Sequence, residues 1–136
     1  MKMWFGHGSE HSMNLVMIGR FEDALQAAKA GQVIEWFMEG VRAEVKARLM
    51  EVGERTDRYT EEMGGLVRKT GIYSIGPGEL EQFAYDVEVK VERNQVVVTT
   101  DESDISAFLK VLLDQGARVE VYSAHKYPGT GYGRGA

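Results

Sequence analysis

The residues best suited to chemistry in this chain are its three histidines, His7, His11 and His125. His7 and His11 flank a short loop, Gly6-His7-Gly8-Ser9-Glu10-His11-Ser12, which also carries a carboxylate and two hydroxyls. Neutral imidazoles with one carboxylate suit a divalent transition metal, zinc above all, with nickel and copper less specifically matched. His7, Glu10, His11 and His125 are therefore the candidate metal ligands, and zinc is the cofactor such a set would take. A wider ligand-binding set adds Ser9, Ser12 and Tyr127. The plainer alternative is that each imidazole is a loop residue donating to a nearby carbonyl, with Ser9 and Ser12 satisfying backbone groups. The His-x-x-x-His spacing puts two rings on one face only in a helix, and here it lies in a loop. Ser9, Ser12 or Ser123 with His11 and Glu10 also has the composition of a hydroxyl–imidazole–carboxylate set. No nucleophile elbow accompanies it, so no catalytic residue is assigned.

Composition narrows the partners. The length of 136 residues is that of one domain, with 43% hydrophobic and 27% charged residues as in an ordinary soluble globule. The net charge of −5 repels phosphate backbones, and no basic strip interleaved with aromatics counters it, so nucleic acid is not an expected partner. The lack of cysteine rules out disulfides and thiolate chemistry. No apolar run approaches the roughly 18 residues of a membrane span. Lys2 is followed by no signal-like apolar region, so the expected location is the cytoplasm, away from membranes.

Periodicity supplies the elements that must hold those histidines. Met13–Phe21 is apolar on both faces at its centre and reads as a central strand. Glu22-Asp23 opens a helix whose stripe runs Ala30, Ile34, Phe37, Val41, Val45 and Leu49, with Gly53 as its stop. Gly31 and Gly40 each cost about 1 kcal/mol in a helix interior. Residues 54–85 read as an insert, with a short helix over Thr60–Lys69, a turn at Gly76-Pro77-Gly78 and Leu80 and Phe83 packing inward. Val87–Glu92 alternates strictly, Arg93-Asn94 is a turn with Asn94 as its left-handed residue, and Gln95–Thr100 returns as the hairpin partner. Asp101 or Ser103 caps a helix with the apolar face Ile105, Phe108, Leu109 and Leu112, which Gly116 ends. Arg118–Ala124 is the last alternating strand. The carboxylates Asp101, Glu102 and Asp104 fit a helix N-terminus rather than a calcium loop.

Strand, helix, strand, strand, helix, strand is the βαββαβ order of an α+β, ferredoxin-like antiparallel sheet with its helices on one face. The expected strand order is 4-1-3-2, with Lys2–Phe5 as an extra N-terminal strand. Residues 1–128 form the single domain and 129–136 a flexible glycine-rich tail. In that topology the last strand runs antiparallel beside the first, so His125 arrives where His11 and His7 depart. Of the two sets on the first strand, Leu15/Met17 or Val16/Ile18, one faces away from the helices and needs a cover. A second copy of the chain is the expected cover, making a homo-oligomer, most simply a dimer.

The segments GHGSEHSMNLVMIGRF, GPGELEQFAYD and ISAFLKVLLDQGARVEVYSAHKYPGTGYGR resemble those of an uncharacterised family of small prokaryotic proteins. The resemblance spans nearly the whole chain. It implies a stand-alone small domain and transfers no catalytic residues. The leading functional expectation is a non-enzymatic, oligomeric module that binds a small ligand or a protein. The alternatives are a metal-binding protein or metal-assisted hydrolase using His7, His11 and His125, and a structural subunit of a larger complex.

Overall fold

A computed structural model of the chain describes residues 14–54, 56–102, 104–123, 126–127 and 132–133. The expected strand Lys2–Phe5 and the expected cap Ser103 lie outside the described residues. The elements run β1 (Leu15–Arg20), α1 (Ala24–Lys46), α2 (Glu61–Thr70), a 3-10 segment (Pro77–Ala84), β2 (Val87–Glu92), β3 (Gln95–Thr100), α3 (Ser106–Asp114) and β4 (Arg118–Ser123). Two short strands follow, β5 (Lys126–Tyr127) and β6 (Tyr132–Gly133), which pair with each other. The fold is α+β, around a four-stranded antiparallel sheet in the order β2-β3-β1-β4. Read from the other edge, the order is β4-β1-β3-β2. The place beside β1 on the side away from β3 is filled by β4.

Alternation decides what the sheet buries. Register lines up Leu15, Met17 and Gly19 of β1 with Thr100, Val98 and Val96 of β3. On β4 the same rows continue through Ser123, Val121 and Val119. Leu15, Met17, Val96 and Val98 belong to the core, with Phe37 of α1 and Phe108 of α3. Phe83, from the 3-10 segment, completes it. Its ring stacks on Phe37 at 4.9 Å and tilts against Phe108 at 4.9 Å. Aromatic pairs at such separations contribute about 0.5–1.5 kcal/mol beyond their buried area. The insert is therefore part of the core rather than an ornament on it.

Several local expectations are corrected. Glu22 and Asp23 do not form the first turn of α1; Asp23 is its N-cap, accepting from the Gln26 N–H at 2.9 Å. The helix stops at Lys46, well before Gly53. Arg48 takes a left-handed conformation, φ 61°, and the Arg48 and Leu49 N–H groups return to the carbonyls of Val45 and Glu44. That paired closure satisfies carbonyls left without partners at the helix end. It also throws Leu49 off the apolar stripe, leaving it 65% exposed. Gly31 and Gly40 are contact points. A Cβ at Gly31 would sit 2.5 Å from Val91 Cγ2, and one at Gly40 would sit 2.7 Å from Met63 Cε.

Asp101 does not cap α3 as expected. Its N-cap is Ile105, which makes no side-chain cap bond. Gln82 replaces the cap from a distant part of the chain: its Oε1 accepts from the Ala107 N–H at 2.7 Å and its Nε2 donates to Asp104 at 2.8 Å. In the β2–β3 turn the left-handed residue is Arg93, φ 54°, not Asn94. Asn94 instead ties the turn to the end of β1. Its side chain donates to the Phe21 carbonyl at 2.9 Å, and its own carbonyl accepts from the Phe21 N–H at 2.8 Å.

Candidate functional site

His7, Ser9, Glu10, His11, Ser12 and His125 all lie outside the described residues. Tyr127 falls in β5, where it is the register partner of Tyr132. The described chain fixes the points from which the two histidine-bearing segments depart. Leu15 and Ser123 are register partners at one end of the β1–β4 ladder. His11 lies four residues before Leu15, and His125 two after Ser123. Among the described residues, no group of three or more histidines and acids is arranged to hold a metal ion.

The outer face of the sheet is the other candidate surface. It carries Val16, Ile18 and Arg20 of β1; Thr99, Val97 and Gln95 of β3; Glu88, Lys90 and Glu92 of β2; and Tyr122, Glu120 and Arg118 of β4. A shallow groove of about 300 Å³ runs over it, lined by Val16, Ile18, Val97, Thr99 and Tyr122 and flanked by the three charged residues of β2. Its centre is apolar and its two edges are charged. Val16 is 2% exposed, whereas Tyr122 is 41% exposed. Arg20 Nε donates to Glu120 at 3.2 Å, and Lys90 lies 3.2 Å from Glu88. These exposed pairs contribute little to stability. Among the described residues the helices α1 and α3 pack on the opposite face, against Leu15, Met17, Val96 and Val98. Sequence alternation signalled an apolar set in need of cover; the register assigns it to Val16 and Ile18.

Two further polar places were not legible in the sequence. One is a cleft of about 270 Å³ past the end of α1, lined by Arg48, Glu51, Glu54, Thr56, Arg58 and Thr60 among others. Beside it Glu44, only 2% exposed, accepts a hydrogen bond from the Thr60 hydroxyl. The other is a clamp between the 3-10 segment and α3. Glu79 Oε1 accepts from Lys110 Nζ at 2.6 Å and from the Gly76 N–H at 2.9 Å, while Oε2 accepts from Ser106 Oγ at 2.5 Å. Lys110 also donates to the Ser74 carbonyl at 2.7 Å. Burial pushes the Glu79 carboxyl up. The bonds from Lys110, Ser106 and Gly76, with the Lys110 charge, outweigh that and hold it below its ordinary range. Nearby, burial together with the charges of Glu81, Asp104 and Glu102 pushes the Tyr85 phenol up. Ser106 donates to Glu79 and accepts from Gln82 Nε2 at 3.1 Å, so both of its roles are used inside the protein. The cluster fastens one element to another rather than activating a nucleophile.

No curated protein and no solved structure matches the chain. A family model matches residues 1–134, nearly the whole length, including both histidine-bearing segments and the sheet between them. By that match the chain belongs to DUF6375, described as a family of unknown function.

Proposed function

We propose that the protein is a non-enzymatic binding module of ferredoxin-like architecture, working as an oligomer through the outer face of its sheet. The observation that carries this is the contrast across that face: an apolar centre of Val16, Ile18 and Val97 between rows of charge on β2 and β4. Such a pattern resembles the dry core and polar rim of a protein interface. The split β-α-β connectivity, with β1 and β2 joined through α1 and β3 and β4 through α3, supports the architecture. Sedimentation velocity over a range of concentrations tests the proposal. The native chain is expected to sediment above monomer mass, and Ile18→Lys to return it to monomer with its melting temperature little changed. A strict monomer at every concentration would remove the proposal.

A second reading is favoured by the Leu15–Ser123 pairing, which starts both histidine-bearing segments from one end of the sheet. On it, His7, Glu10, His11 and His125 hold a zinc ion, for binding or for metal-assisted hydrolysis. Elemental analysis of untagged protein purified without chelator, beside His125→Ala, tests it. Stoichiometric zinc in the parent and its loss in the variant would support the site; no uptake on titration with zinc would end it.

A further inference from the structure

Resting on the proposed oligomer, we infer that the partner on the outer face is a second copy of this chain, related by a two-fold axis that runs parallel to the strands. The register divides the face into three cross-strand rows. The first is Glu88, Thr99, Val16, Tyr122; the second Lys90, Val97, Ile18, Glu120; the third Glu92, Gln95, Arg20, Arg118. Two sheets that pack with strands aligned keep their inner faces interdigitated at about 10 Å. Only a two-fold axis lying between the sheets presents the same face of both copies to each other, and two such axes preserve strand alignment.

An axis along the strands lays β2 of one copy over β4 of the other and keeps each row opposite itself. Lys90 then meets Glu120 of the second copy, Glu92 meets Arg118, and the Glu88 carboxylate meets the Tyr122 hydroxyl. In the centre Ile18 meets Val97, while Val16, 2% exposed within one copy, lies beneath the facing Thr99 and adds little contact. The intrachain pairs Arg20–Glu120 and Lys90–Glu88 join into one alternating network across the boundary. An axis across the strands gives the opposite result. It sets Lys90 on Lys90, Glu120 on Glu120 and Glu88 on Glu92, and it places Arg20 over Val16. Like charges brought face to face oppose association, so the charge pattern selects the first axis. The face itself holds three acids and three bases, Glu88, Glu92 and Glu120 against Lys90, Arg20 and Arg118, within a chain of net charge −5. A balanced face of this kind lets two acidic molecules meet.

The footprint sets the strength. Four strands spaced about 4.8 Å apart and six residues long at about 3.3 Å each cover roughly 400 Å² as a flat projection. A standard interface buries about 800 Å² of accessible surface per partner. Corrugation and rim side chains narrow that gap without closing it. The dimer is therefore concentration-dependent, with a dissociation constant on the order of micromolar rather than nanomolar.

Charge reversal distinguishes the axis from the dimer itself. Lys90→Glu and Glu120→Lys are made singly and together in the full chain, with circular dichroism melts confirming folding. Sedimentation velocity is then run on each and on an equimolar mixture of the two singles. Each single variant is expected to raise the dissociation constant about tenfold or more. The mixture is expected to recover dimer as a heterodimer. One of its two equivalent contacts then sets the introduced carboxylate of one variant against the introduced ammonium of the other, and the second sets the remaining Lys90 against the remaining Glu120. The double variant recovers as a homodimer, with both contacts reversed in sign. A native dimer with no recovery in mixture or double variant would overturn the two-fold arrangement and leave the oligomeric reading standing. A native monomer up to about a hundred times the expected micromolar constant would overturn both.

Discussion

Val97 and Val98 are neighbours on β3 and lie on opposite faces of the sheet. Val98 sits in the core with Met17 and the aromatic rings of Phe37, Phe83 and Phe108. Val97 lines the outer groove with Ile18 and Tyr122. The same residue type thus serves the core on one side and lines a groove on the other. The difference teaches that hydrophobicity alone does not fix a valine's role in this chain; its face and its place across the sheet do. On the inner face Phe37, Phe83 and Phe108 join Met17, Val96 and Val98 in the core, while Val91 and Val121 on the edge strands stay 45% and 47% exposed; on the outer face Val16 is 2% exposed beside Tyr122 at 41%.

The largest expected effect lies on the inner side. Phe83→Ala removes the ring that joins α1 to α3 and should cost about 3–5 kcal/mol in chemical denaturation. A cost below about 1 kcal/mol would mean the insert is dispensable and the inner layer thinner than described. A matched pair sharpens the contrast next. Val98→Thr buries a hydroxyl without a designed partner and should cost about 1–3 kcal/mol. Val97→Thr should stay within about 0.5 kcal/mol, measured under the same conditions at a concentration favouring monomer. Equal costs would break the distinction between the faces.

The clamp on the inner layer is expected to show itself through pH. Because the Glu79 carboxyl titrates below its ordinary value of 4.5, its stabilisation is full above that value and is lost as pH falls through the lower folded one. Glu79→Gln should be less stable than the parent by about 1–2 kcal/mol at neutral pH. That gap should narrow on acidification below about pH 4.5, and a gap independent of pH would detach the clamp from stability. The smallest effect belongs to the Lys69 ammonium, 4.1 Å from the centre of the Trp36 ring. Lys69→Ala should lower stability by about 0.5–1 kcal/mol, with a modest salt dependence in the melt.

The sequence made the sheet legible because its strands alternate and its helices are striped. Val87–Glu92 and Gln95–Thr100 announced a hairpin, and the apolar centre of Met13–Phe21 announced a central strand. It did not announce the details that depend on residues far apart in the chain. Gln82 caps α3 from another element, so no local cap residue marked that helix start. Arg48 and Arg93 adopt left-handed conformations usually read from glycine or asparagine, so the end of α1 was misplaced and the left-handed residue of a correctly placed hairpin turn was misassigned. Gly31 and Gly40 read as weak points because the close approach of Val91 and Met63 has no signature along the helix itself. The outer surface was half legible: alternation predicted an exposed apolar set facing away from the helices, and register names it as Val16 and Ile18, of which Val16 is in fact buried. The histidine-bearing segments leave the sheet at adjoining positions, as the order of elements implied, while the imidazoles themselves lie outside the described residues.

The pairing of β4 with β1 joins residues from opposite ends of the chain. Loops that long close slowly, after local hairpins and helices have formed. During synthesis β1, α1, the insert and the β2–β3 hairpin all leave the ribosome before Arg118 does. Until then β1 has one strand neighbour instead of two, and the three-row outer pattern lacks its Arg118, Glu120 and Tyr122 column. A nascent or prematurely terminated chain therefore cannot present the complementary charge set to a finished one. On the proposed dimer, assembly would be reserved for molecules whose translation has reached the last strand, which would make β4 a built-in check on completeness.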